Sequence, residues 1–122
     1  IARGVLVARA LGRLDVGQAV VVQHGIVLGV EATEGTDALI ARAGALRRPG
    51  PGGVLVKMFK PGQDARLDMP MIGAATVHNC AAAGLAGIAV EAGRTLVSDV
   101  AALVAAADAN GLFVVARTFP EG

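Results

Sequence analysis

The residues best suited to chemistry are concentrated in one stretch, Lys57-Met58-Phe59-Lys60-Pro61-Gly62-Gln63-Asp64-Ala65-Arg66-Leu67-Asp68-Met69-Pro70. It holds two lysines, one arginine and two carboxylates, with prolines at 61 and 70 as rigid turns. A polar loop is ordinarily a solvated connection. Its mixed charge, its two turns and the very apolar chain around it argue for more. A second polar cluster, Glu31-Ala32-Thr33-Glu34-Gly35-Thr36-Asp37, precedes a helical pattern. Thr36 or Thr33 is expected to cap that helix, with Asp37 favouring the dipole of its first turn. Capping does not require Glu31, Glu34 and Gly35 as well. A helix N-terminus can bind phosphate through its unpaired N–H groups. Beside so many acids, a phosphate bridged by a divalent cation fits better than a naked one, because hard cations take oxygen ligands.

Something must carry both clusters to one place. Val54-Leu55-Val56 is a short aliphatic strand leading into the loop, and α/β proteins put their chemistry where such strands end. Ile1, Val5, Ala8 and Leu11 lie on one face of a helix, weakened at Gly4 and stopped by Gly12. Ala19–Gln23 and Ile26–Val30 flank His24-Gly25 and form a β-hairpin, with a bulge or close backbone approach at Gly29. Leu39, Ile40, Ala43 and Leu46 give the buried stripe of a second helix, and Val77, Cys80, Ala81 and Gly84 that of a third. Leu85–Val90 reads as a strand returning through Glu91-Ala92-Gly93-Arg94 to Thr95-Leu96-Val97, a second hairpin. Ser98 or Asp99 caps a fourth helix with the stripe Val100, Leu103, Val104 and Ala107. Asn110-Gly111 ends it, and Leu112–Ala116 is the last strand. The alternation predicts one α/β domain over 1–122, a layered fold with a mixed β-sheet and about four helices.

Composition excludes several classes. The 122 residues are 54% hydrophobic and 17% charged, enough for one domain with a core of mostly Ala, Val and Leu. With no Trp or Tyr, 3 Phe and a net charge of +1, neither base stacking nor phosphate neutralisation is provided for, and no nucleic-acid partner is expected. No apolar stretch of ~18 residues runs without charges or glycines, so no transmembrane helix is expected, nor is a signal peptide. The single Cys80 forms no internal disulfide, fits a reducing compartment, and reads as a small core residue. Two His and one Cys leave no Cys/His zinc set. His24 is a turn residue, and His78 sits on a helix surface or a site rim. There is no G-x-G-x-x-G fingerprint, no phosphate-binding loop ending in Gly-Lys-Ser/Thr, and no nucleophile elbow. Ser98 is the one serine in the chain and looks like a cap.

Several ordered motifs resemble the C-terminal domain of the LpxI family, the UDP-2,3-diacylglucosamine pyrophosphatases of lipid A biosynthesis. They are Asp15–Gln23, Val30–Asp37, Lys60–Gly73 and Ala83–Gly93, which together span nearly the whole chain. The resemblance implies magnesium-dependent hydrolysis of UDP-2,3-diacylglucosamine to UMP and 2,3-diacylglucosamine 1-phosphate, with water attacking the α-phosphorus. The family's essential acid lies in the motif Gln-Asp-x-Arg-x-Asp-x-Pro, here Gln63, Asp64, Arg66, Asp68 and Pro70. Met69 within it and Met71 just after it are apolar exchanges, and Met58-Phe59 ahead of Lys60 is a further departure. Under this resemblance Asp68, Asp64, Lys60 and Arg66 are catalytic. Asp68, Asp64 and Asp37 are the metal ligands, with Asp68 preferred over Asp64, although neither helix nor strand spacing decides between them. Gln63, Thr36, Glu34, Gly35 and Glu91 are assigned to the substrate.

The implied partners are a UDP-linked acylated sugar and an N-terminal Rossmann-like domain of the same protein. That domain would lie across the substrate cleft and is absent from these 122 residues, which begin at Ile1 within a helical pattern. A homodimer and contact with a membrane surface belong to the same picture, in the cytoplasm and peripheral to the inner membrane. The isolated chain is then expected to be inactive. The competing reading is a non-catalytic α/β fragment serving domain packing or oligomerisation, since Ala- and Gly-rich surfaces pack closely. The hydrolase reading requires Glu31–Asp37 and Lys60–Asp68 to emerge on the same side of the sheet.

Overall fold

A computed structural model describes residues 1–14, 16–59 and 70–119. The elements are α1 (Ala2–Arg13), β1 (Ala19–Gln23), β2 (Ile26–Val30), α2 (Thr36–Ala45), β3 (Val54–Lys57) and β4 (Met71–Ile72). They continue with α3 (Ala74–Ala82), β5 (Gly87–Glu91), β6 (Leu96–Val97), α4 (Val100–Asn110) and β7 (Phe113–Arg117). Five strands form a mixed sheet in the order β2-β1-β3-β5-β7. β1 runs antiparallel to both its neighbours, and β3, β5 and β7 are parallel. The expected layered α/β fold with a mixed sheet and four helices is therefore present.

Side chains alternate across the pleat and feed two cores. Val20, Val22, Val56, Met58 and Ala89 face Val5 and Ala8 of α1. Ala19, Val21, Leu55, Ile88 and Val90 face the other way, onto Leu39, Ile40 and Ala43 of α2, Val77 and Cys80 of α3, and Leu103, Ala106 and Ala107 of α4. Covered on both faces, β1 is buried along its whole length, which is why Ala19–Val22 read as an aliphatic run, and the buried Gln23 that ends it is hydrogen-bonded to Arg48 and Pro51. Each such side chain taken fully out of water contributes about 1.5–3 kcal/mol.

The first hairpin follows its local signal. His24 (φ 52°) and Gly25 (φ 75°) both occupy the left-handed region, as a two-residue turn between twisted strands demands. Val21 lies opposite Gly29 but Val22 opposite Val27, so Leu28 is the extra residue of a bulge. A Cβ at position 29 would come within 2.9 Å of Leu39 Cδ1, so the bare backbone also lets α2 approach.

The second hairpin does not exist. β5 already has β3 on one edge and β7 on the other, so no ladder is open to a strand returning from Glu91. β6 instead pairs in parallel with β4, Met71 opposite Leu96 and Ile72 opposite Val97, as a separate two-stranded sheet. Smaller expectations are corrected too. α1 runs through Gly12 to Arg13, with Leu14 at its C-cap. Leu46 is exposed past the end of α2. On α4 the buried residues are Leu103, Ala106 and Ala107, while Val100 and Val104 face outward. The Asp99 carboxylate caps α4 by accepting from Ala102 N–H (3.0 Å), and Gly111 closes it at φ 66°.

Gly52 leads into β3 against the α3–β5 connection. A Cβ there would collide with the Gly84 carbonyl oxygen and lie 3.0 Å from Ala86 N, and neither backbone group can rotate away. Gly52→Ala is expected to destabilise the fold by about 1–3 kcal/mol, the usual cost of overpacking. Urea unfolding should show a lower midpoint with an unchanged slope.

Candidate active site

The register brings both polar clusters to one sheet edge. Val30, the last residue of β2, lies opposite Val20, and Ala19, the first residue of β1, lies opposite Lys57, the last of β3. Lys57 in turn faces Val90 of β5. Gln18, Glu31, the Lys57–Phe59 segment and Glu91 therefore leave the sheet on the same side. Pro70–Gly73 returns to that edge, where Met71 O accepts from Lys57 Nζ at 3.1 Å. The segments flanking the long polar loop thus share an edge with Glu31–Asp37. Lys60, Gln63, Asp64, Arg66 and Asp68 lie outside the described residues.

A cavity of about 500 Å³ opens here. Glu34, Gly35, Thr36 and Asp37 form one wall, Met71–Gly73 with Ala75 and Thr76 the opposite one, and Lys57 and Ser98 complete it. Two helices start on its walls. The N-cap of α2 is Gly35 (φ 88°) and that of α3 is Gly73, and neither has a side chain that could accept from the first-turn N–H groups. The positive ends of both helices therefore face the cavity without an N-cap side-chain oxygen on their first-turn N–H groups, although Thr76 Oγ1 accepts from the Gly73 N–H at 3.3 Å. A Cβ at Gly73 would meet Ser98 Oγ, a hydroxyl that can rotate aside, so space alone does not require glycine there.

Thr36 does not cap α2. Its hydroxyl donates to Glu31 Oε2 at 2.6 Å, and Glu31 Oε1 accepts from Gln18 N–H at 2.9 Å. Glu31 is 8% exposed, so a buried carboxylate ties the start of β1 to the start of α2. Glu34, assigned to the substrate from sequence, forms a 2.7 Å ion pair with Arg42, which also donates to Val30 O. Asp37, the one assigned metal ligand among the described residues, is exposed on the cavity wall and accepts from Asn79 Nδ2 at 3.2 Å. Glu91 does not line the cavity among the described residues. Its Oε1 accepts from Phe59 N–H at 3.3 Å, which holds the chain just after β3.

Sequence reasoning placed Lys57 at the start of the loop and gave it no role. Burial lowers its pKa below the ordinary 10.5, and Glu31 and Asp37 only partly oppose this. A lysine ending an aliphatic strand reads the same whether it is solvated or enclosed, so its sequence carried no signal. Cys80 behaves as expected of a core residue. Burial first, and Asp37 second, push its thiol up to about 12.

Among the described residues no three His, Cys, Asp or Glu side chains cluster to hold a metal ion. Magnesium does not need such a cage. It usually takes one or two carboxylates, keeps several waters and shares substrate phosphate oxygens. The exposed Asp37 carboxylate would supply one such ligand, while the two positive helix N-termini suit the phosphate oxygens rather than the cation.

The architecture defines a mixed-sheet α/β domain with an anion-receptive, carboxylate-bearing cavity at the strand ends. The chain belongs to the LpxI C-terminal domain family, which it matches over residues 1–115. A relative from Caulobacter vibrioides, UDP-2,3-diacylglucosamine pyrophosphatase LpxI, is 55% identical over 114 residues, covering 88% of this chain and 41% of that protein. The chain therefore spans less than half the length of the curated relative it matches.

Two outcomes follow from the buried groups. Cys80 should resist alkylation at neutral pH in the folded chain and react once urea unfolds it, because only the thiolate is nucleophilic. Lys57→Met should stabilise the fold near neutral pH. A lysine with a lowered folded-state pKa binds fewer protons folded than unfolded, so the wild type gains stability as pH rises through the window up to 10.5. The advantage of Lys57→Met in paired denaturation curves should accordingly shrink toward pH 10.5.

Proposed function

We propose that this chain is the C-terminal part of a magnesium-dependent UDP-2,3-diacylglucosamine pyrophosphatase, releasing UMP and 2,3-diacylglucosamine 1-phosphate. The observation that carries this is the cavity where the glycine-capped starts of α2 and α3, Lys57 and Asp37 converge. Family membership and the relative's name supply the substrate.

A diphosphate needs its oxygens neutralised and a water positioned at phosphorus. First-turn N–H groups of α2 and α3 donate to phosphoryl oxygens at no reorganisation cost. Asp37 offers a carboxylate oxygen to magnesium, with Asp68 and Asp64 as its proposed companions from the long loop. Magnesium, when bound, supplies Lewis acidity toward a phosphoryl oxygen. Lys60 and Arg66 are the proposed further phosphate contacts, the arginine through its planar fork. Glu34, Gly35, Thr36, Gln63 and Glu91 remain the proposed substrate-side residues, with the Glu34–Arg42 pair and the Thr36–Glu31 bond holding the α2 wall in shape.

A diacylated substrate also needs a large apolar groove. The rest of a longer protein is proposed to provide it, as an N-terminal domain across the cleft. No helix of the described residues is long and apolar enough to cross a membrane. The non-catalytic reading draws support from the outward-facing Val100 (63% exposed) and Val104 (47%) on α4, an apolar face suited to packing.

UMP release by the two-domain protein tests the proposal. Asp68→Ala should lower turnover by about 100-fold or more, the scale of losing a group that stabilises transition-state charge, while substrate still binds. A chelator should abolish release. The 122-residue chain alone should show little activity, because mispositioning by ~1 Å already costs ~100-fold. Near-normal turnover by Asp68→Ala would reject Asp68 and direct the same test to Asp64. Parent-like turnover by the chain alone would reject the two-domain account.

A further inference from the structure

We propose that Lys57 is a further substrate-contacting residue of this site, its ammonium donating to a phosphoryl oxygen of a diphosphate lodged between the starts of α2 and α3. The inference rests on the hydrolase reading and gives a contact to Lys57, which that reading names only as part of the cavity.

Lys57 is carried by β3, a central strand of the sheet, so its position is set by the core. Its side chain is partly buried and lines the cavity. Buried cations are normally paired with a carboxylate, because an unpaired charge in a desolvated site is costly. Among the described residues the one ion pair is Arg42–Glu34, and no carboxylate lies within salt-bridge distance of Lys57.

The neighbouring acids are otherwise engaged. Glu31 accepts from Gln18 N–H and the Thr36 hydroxyl, Glu34 is held by Arg42, and Asp37 accepts from Asn79. Lys57 makes one hydrogen bond among the described residues, to Met71 O. An ammonium has three donors, so two are left for a ligand. That carbonyl belongs to β4, directly before Gly73 and α3, so the bond sets the ammonium beside the first turn of α3. A partly buried cation with no ion pair among the described residues, beside two helix N-termini whose N-cap residues are glycines, is a complementary environment for an anion. A lysine acts there as a point charge, tolerant of which phosphoryl oxygen it meets.

The test measures binding of UDP, which carries the diphosphate without the acyl chains, to the 122-residue chain in magnesium buffer. Wild type, Lys57→Met and Lys57→Arg are compared by amide chemical-shift titration, with thermal unfolding as the control on folding. Wild type should bind, with shifts at Gly35–Ala38 and Gly73–Thr76. Lys57→Met should weaken binding at least about tenfold with a melting temperature unchanged or raised, since it removes a partly buried charge that has no ion pair among the described residues. Lys57→Arg should recover most of the affinity. If Lys57→Met does not fold, Lys57→Gln carries the same comparison. Equal affinity in wild type and a folded Lys57→Met or Lys57→Gln chain overturns the proposal. So does absence of UDP binding by wild type. In either case the hydrolase reading is judged separately by UMP release from the two-domain protein, so the two can fail independently.

Discussion

A buried carboxylate holds the working edge of this domain together. Glu31 receives the Gln18 N–H on one oxygen and the Thr36 hydroxyl on the other, and its own N–H donates to Ala19 O. Gln18 O in turn accepts from Met58 N–H, next to Lys57. One side chain thus links the end of β2, the start of β1, the exit of β3 and the first turn of α2. Hydrogen bonds to an ionised group are among the stronger ones, and leaving such a group buried without them is costly. The backbone has adapted to the contact: Gly17 lies so close to the Glu31 carbonyl that a Cβ would collide with it.

With that edge fixed, the cavity follows from where helices begin. A right-handed crossover from a parallel strand returns each helix to the sheet, and here α2 and α3 both start at the edge where β1, β2 and β3 meet. Glycine at both N-caps leaves the first-turn donors without a side-chain oxygen, whereas α4 is capped by Asp99. The acids of residues 31–37 divide their work. Glu31 braces the strands, Glu34 pins Arg42 over α2, and Asp37 stands on the cavity wall. A sequence-level cluster of acids resolves into a scaffold and one exposed carboxylate.

The same economy governs the sheet. β1 is covered on both faces and β5 is paired on both edges, so each later segment can only take what is left. β6 therefore closes onto β4, and that small sheet carries Pro70–Gly73 back toward Lys57. The second sheet is not an ornament of the fold. It supplies the cavity wall facing α2 and the carbonyl that anchors the lysine.

Local chemistry was legible wherever one conformation is favoured within a few residues. His24-Gly25 specified its turn because a glycine and a tolerant neighbour can both take positive φ. Asp99 and Gly111 bounded α4 for reasons contained in their own side chains, and Gly29 marked the bulge. The ordered motifs specified the family, which the match over residues 1–115 bears out. The rest depended on partners distant in the chain. Thr36 has equal capacity to cap a helix or to bond a carboxylate, and only the buried Glu31 across the turn decides for the second. Leu96-Val97 has the same strand preference whichever edge is open, and the occupancy of β5 by β3 and β7 decides its partner. Lys57 ends an aliphatic strand in either case. Its enclosure is set by Met71, Gly73 and the α2 wall folding over it, because desolvation is a property of what surrounds a charge and not of the charge itself.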